Sequence, residues 1–162
     1  MNTITLALTD PTDAASLQLQ DALSDYLQTL TGSSGRASFD ARTLGPRDFF
    51  LLARDAGNQP VGCVALREIA SGIGEIKRMY ARPGTQGVGA QLLRALEDEA
   101  QVRGFKQLWL ETRKINQRAV DFYLRNGYQI RENYGRYVGK PEAICFGKTL
   151  PTPVFSGRAL TE

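Results

Sequence analysis

Apolar positions along this chain of 162 residues recur at two different periods. Alternation or short apolar runs mark strands over residues 3–8, 49–54, 61–67, 73–81, 108–112, 128–132 and 143–150. Leu19, Leu23, Leu27 and Leu30 recur at helical spacing instead, with Thr12 or Asp13 placed to cap that helix and Gly32 to end it. A second helix buries Leu92, Leu93, Leu96 and Ala100, keeps Glu97, Asp98 and Glu99 largely outside, and closes at Gly104. A third is short: Asn116 caps it, Ala119, Phe122 and Tyr123 form its apolar stripe, and Asn126-Gly127 stops it. Residues 33–47 are polar and glycine-punctuated, a loop or short helix, and DAGNQP at 55–60 turns a hairpin.

Strands come first, followed by strand–helix–strand–helix–strand, which predicts an α+β (mixed α/β) domain around one sheet. No linker or repeat interrupts residues 1–150, expected to form a single domain, and the proline-punctuated residues 151–162 read as a C-terminal tail. With 42% apolar residues the chain can bury a sufficient core without a disulfide or metal. The net charge of +3 is mild and no basic run stands out, so no nucleic-acid partner is expected. Fifteen of the 20 basic residues are arginine, which suits contacts to phosphate or carboxylate.

Cys63 and Cys145 lie inside apolar runs (VGCVAL and AICFGK) and read as buried hydrophobes in a reducing compartment. The first residues show no cleavable leader and no span reaches membrane length, so a cytoplasmic protein without membrane contact is expected. There is no histidine, which excludes a histidine base, a Ser-His triad and the common zinc sites; no metal is expected. The last strand and the tail offer an edge through which a homodimer could pair.

The chemistry concentrates in residues 76–93, IKRMYARPGTQGVGAQLL, where a strand runs through Gly84, Gly87 and Gly89 straight into a helix. Such a turn leaves amide N–H groups uncovered at a helix N-terminus, which carries about half a positive charge. It is suited to a phosphate. A P-loop needs Lys followed by Ser or Thr after the last glycine, whereas Ala90-Gln91 follows Gly89. A dinucleotide turn needs glycine or alanine where Leu92 stands, and should follow the first strand of its unit. A ligand-free strand-to-helix turn is the plain alternative.

Three segments carry a family resemblance: EIKRMYARP, the Gly87-Val88-Gly89 turn, and NQRAVDFYLRNGY at 116–128. Together, over residues 61–150, they resemble the GNAT superfamily of acetyl-CoA-dependent N-acetyltransferases. The chain departs from that pattern three residues before Gly87, where Gly84 replaces the usual Gln or Arg; Gln86 or Arg82 is the expected substitute. The resemblance implies a GNAT-like acyl-CoA N-acyltransferase fold, a twisted mixed sheet of six or seven strands flanked by about four helices. It also implies direct transfer of acetyl from acetyl-CoA to a primary amine of a small molecule or peptide. A catalytically silent acyl-CoA-binding or sensing module of the same fold is the alternative.

Residue by residue, the resemblance places the coenzyme pyrophosphate on the amides of Gln86, Gly87, Val88, Gly89 and Ala90. The pantetheine arm falls along Met79, Tyr80 and Ala81. Asn116 is implied to touch the coenzyme as well as cap its helix. The Tyr123 hydroxyl is implied to lie by the coenzyme sulfur and protonate it, against the simpler role of a core aromatic. Glu75 is implied as the base that takes the amine proton; Glu111, at the end of the fifth strand, competes as base or as holder of the cationic amine. Tyr134 and Tyr137 are expected on the substrate side, against plain loop packing, and so are Arg36, Arg42 and Arg47.

Overall fold

The computed structural model describes residues 3–151, and the tail expected beyond Pro151 lies outside the described residues. The strands are β1 (Thr5–Leu8), β2 (Phe49–Arg54), β3 (Pro60–Ala70), β4 (Ile73–Ala81), β5 (Gln107–Arg113), β6 (Gln129–Arg131) and β7 (Ala143–Thr149). The helices are α1 (Ala14–Thr31), α2 (Val88–Val102) and α3 (Gln117–Arg125). They form one mixed seven-stranded sheet in the order β1-β2-β3-β4-β5-β7-β6. Every pairing is antiparallel except β4 with β5.

The local reasons are those the residues supply. Asp13 accepts the Ser16 amide at 2.8 Å to open α1, and Gly32 closes it in a left-handed conformation. Asn116 accepts the Ala119 amide at 3.3 Å to open α3. Phe49 to Ala53 of β2 are apolar without alternation because both faces of the strand are covered. Phe49 and Leu51 join Val64, Leu66 and Ile76 beneath α2, while Phe50 and Leu52 join Cys63 and Ala65 beneath Leu19 of α1. Leu92, Leu93 and Leu96 of α2 are fully enclosed, each contributing about 1.5–3 kcal/mol of burial.

Two expectations change. Among the described residues there are three α-helices rather than about four; residues 33–47 hold only a short 3₁₀ turn, Arg36–Ser38, because glycine and proline punctuation leaves no run long enough for an α-helix. The last strand, expected to present a pairing edge, is interior: β7 bonds β5 on one side and β6 on the other, so the sheet's free edges belong to β1 and β6.

Two irregularities prepare a site. β4 and β5 pair only from Ile73–Gln107 to Glu75–Trp109 and then part, leaving the β5-facing edge of residues 76–81 without a strand partner. In the same stretch β4 bulges: Cys63 opposes Tyr80 and Ala65 opposes Lys77, so Arg78 and Met79 share one partner position, and Arg78 takes a φ of 56°.

Candidate active site

A cleft of about 1070 Å³ opens where β4 and β5 separate, roofed by α2 and α3 and walled by α1 and the 3₁₀ turn Gly135–Tyr137. One end is made of main chain. Gly87 precedes α2 with a φ of 72°, a conformation open to glycine and strained for other residues. The first intrahelical bond there joins the Gln91 amide to the Gly87 carbonyl at 3.0 Å. The amides of Val88, Gly89 and Ala90 therefore have no acceptor within the helix, and all three residues line the cleft. A Cβ on Gly89 would meet the Phe122 ring at 3.3 Å, so glycine lets α3 close against the turn.

Opposite the turn lies Tyr123, buried against Phe122, Tyr128 and Phe146 with ring centroids 5.1, 5.6 and 6.0 Å away. Its residue lines the cleft, and among the described residues its hydroxyl has no hydrogen-bond partner. Burial alone raises its pKa well above the usual phenol value, so it remains a neutral hydroxyl at ordinary pH.

The other end is made of side chains. Leu108 and Leu110 face the core beneath α2, so strand alternation turns Glu111 to the opposite face, among Lys77, Arg113 and Tyr137. Glu111 Oε2 is buried with no hydrogen-bond partner among the described residues; the nearest cation, Arg113 Nε, is 3.6 Å away. Burial raises the Glu111 pKa, with the charges of Arg113 and Lys77 opposing. Lys77 Nζ donates to the Tyr137 hydroxyl at 2.8 Å and lies 3.5 Å from Glu75 Oε1. Burial lowers its pKa, while Glu75 and Glu111 hold it up. Beneath them the Arg78 guanidinium donates to the Gln20 carbonyl at 2.8 Å, to Ser24 Oγ and to the Ser34 carbonyl at 3.3 Å, tying the β4 bulge to α1.

An arrangement of uncovered amides at one end and a part-buried carboxylate at the other finds parallels in sequence comparison. The model of the acetyltransferase (GNAT) family matches residues 17–128. The chain belongs to that family. It is similar to an IAA acetyltransferase of Azospirillum brasilense, 34% identical over 93% of this chain and 100% of that one. Among solved structures it is similar to a candidate acyl-CoA N-acyltransferase from Klebsiella pneumoniae, with 32% identity, a TM-score of 0.78, and coverage of 92% and 99% of the two chains. The fold is also that of a candidate streptothricin acetyltransferase from Bacillus anthracis, solved in complex with acetyl coenzyme A, at 23% identity and a TM-score of 0.57 over 66% of this chain and 65% of that one.

Set in this GNAT frame, the residues singled out in the sequence divide. Met79, Tyr80, Ala81, Gly87, Val88, Gly89, Ala90, Asn116 and Tyr123 all line the cleft, as do Glu111 and Tyr137. Gln86 does not line it. Arg82 does, but its Nε is engaged by the Pro60 carbonyl at 2.8 Å. Glu75 and Tyr134 sit behind the wall: the Tyr134 hydroxyl donates to Glu75 Oε2 at 2.6 Å, and Trp109 packs on Tyr134 at 5.0 Å. Of the three arginines named before β2, Arg36 pairs with Asp21 at 3.2 Å, Arg42 with Asp40 at 3.1 Å, and Arg47 bonds the Arg103 carbonyl; none lines the cleft. Lys77, Arg78 and Arg136 were missed. A signal existed for the first two, since adjacent cations interrupt the apolar pattern of IKRMYA. Arg136 had none.

Among the described residues no helix is long and apolar enough to cross a membrane.

Proposed function

We propose that this GNAT protein transfers acetyl from acetyl-CoA to an amine that enters from the α1 side of the cleft. One observation carries the reading: the unpaired edge of β4, the residues of the uncovered amides Val88–Ala90, Tyr123 and Glu111 all line a single cleft. Bound there, acetyl-CoA supplies an activated acetyl thioester.

The residues present fit it. The α2 amides suit a pyrophosphate in charge, and Gly87 turns the chain so that they face it uncapped. The unpaired edge of residues 76–81 offers strand hydrogen bonds to an extended amide-bearing arm. Glu111 is the better base of the two glutamates. It lines the cleft and its Oε2 accepts no hydrogen bond among the described residues, with Arg113 3.6 Å away, whereas Glu75 lies behind the wall and is already held by Tyr134 and Lys77. In the transfer the amine nitrogen gains the acetyl carbon, the carbon–sulfur bond breaks, Glu111 takes the amine proton, and Tyr123 returns one to sulfur. Because burial holds the Tyr123 pKa high, the hydroxyl offers sulfur a hydrogen bond before it gives up its proton.

Calorimetry with CoA, followed by thiol release from acetyl-CoA across a panel of amines, tests this. Micromolar binding and acceptor-dependent release are expected. Binding with no release from any amine would mean that the chain is a silent acyl-CoA-binding module.

A further inference from the structure

The charges at the acceptor end of the cleft do not cancel. β4 contributes Lys77 and Arg78, β5 contributes Glu111 and Arg113, and the turn and loop after β6 contribute Arg136, Lys140 and Glu142. Most of the cations are engaged. Arg78 is held by α1 and Ser34, Arg113 lies 3.6 Å from Glu111, and Lys77 has Glu75 and Tyr137. Arg136 is different. Among the described residues its guanidinium bonds only the Ala37 carbonyl, at 3.4 Å, and no carboxylate lies within ion-pair distance of it or of Lys140.

Arg136 is also near enough for its charge to oppose protonation of Lys77. Lys77 keeps Glu75 3.5 Å away, whereas Arg136 and Lys140 line the cleft with no carboxylate within ion-pair distance among the described residues. An anion bound there gains a charge-assisted partner without displacing an acid of the protein. A guanidinium fork suits a carboxylate or phosphonate in particular.

From this we infer that the acceptor is an amine carrying its own acidic group: the acid lies against Arg136 while the amine meets Glu111. The inference rests on the acetyl-transfer reading and names its substrate class. A neutral alkylamine leaves Arg136 without a partner, and a polyamine adds positive charge where cations already crowd.

The test uses acceptor pairs that differ only in the acid: 3-aminopropanoate against 3-aminopropanamide, and 2-aminoethylphosphonate against ethanolamine. Each is measured by thiol release from acetyl-CoA and by calorimetric titration of the CoA-saturated protein. The acidic member of at least one pair is expected to be favoured by about 10–100-fold in kcat/KM and in Kd, the range of one charge-assisted contact; the two pairs separate carboxylate from phosphonate. Arg136→Gln should pull that ratio toward one, chiefly through KM. Equal or better use of the neutral members, a ratio that survives R136Q, or no amine binding at all overturns the inference. Selective binding of acidic amines without thiol release keeps the substrate class and rejects catalysis; release without preference does the reverse.

Discussion

The two ends of the cleft are built from different material. The end proposed for the coenzyme is main chain: three amides before Gln91 and the unpaired edge of β4, all within residues 76–91. The end proposed for the acceptor is side chains brought from far apart. Tyr134 reaches Glu75 across 59 positions, Tyr137 meets Lys77 across 60, and Arg78 reaches Gln20 across 58. A backbone site tolerates many side chains provided its glycines stay, so it suits a coenzyme that does not vary. A side-chain site is retuned by single substitutions, so it suits acceptors that differ.

Glu111→Gln should break the acceptor end most severely, lowering kcat by roughly 10²–10⁴, as loss of a general base does. The amide keeps shape and cannot take a proton. Burial raises the Glu111 pKa, and a base must be ionised, so kcat/KM of the unaltered protein should climb with pH through an acidic limb above the usual carboxylate value of about 4.3. That limb should vanish in E111Q. Glu75→Gln, behind the wall, should keep it; an intact limb in E111Q and a lost one in E75Q would exchange their roles.

Tyr123→Phe tests where the two ends meet, with an expected fall in kcat of about 10², the lower range for a proton donor. Because Tyr123 titrates far above neutrality, the loss should be the same from pH 6 to 9. An unchanged kcat at saturating substrates would reassign it to packing.

Arg78→Met asks whether the acceptor wall and the β4 edge are coupled. It strips donors from the buried Gln20 carbonyl and Ser24 hydroxyl, costing about 1–3 kcal/mol in urea unfolding. If α1 positions the acceptor through this guanidinium, KM for the amine rises as well, and R78K restores only part of it because lysine lacks the fork. The smallest effect is expected at Cys63. Burial pushes its thiol pKa to about 12, so iodoacetamide at neutral pH should leave it unmodified until the protein unfolds.

Much of this was legible in the sequence. All seven strands and three α-helices fall within a few residues of where periodicity placed them, and Asp13, Gly32 and Asn116 cap as their chemistry requires. The glycine turn was legible too, because a strand, two glycines and an amphipathic run are contiguous and the uncovered amides follow from helix geometry alone. Asn133 illustrates the opposite case: its side-chain amide bonds the carbonyls of Tyr137, Lys140 and Ala143 and folds the loop that delivers Tyr137, yet nothing in ENYGRY marks it.

What the chain determined by itself, then, is whatever neighbouring residues settle between them: element type, caps, and a main-chain cradle for a phosphate. Only the folded sheet decided that β7 lies inside β6, that β4 and β5 part after Glu75, that Glu111 rather than Glu75 lines the cleft, and that Arg136 lines it with no carboxylate partner among the described residues. Each depends on contacts between segments distant in sequence, and hydrophobic period constrains which face a residue takes but not which partner it meets there.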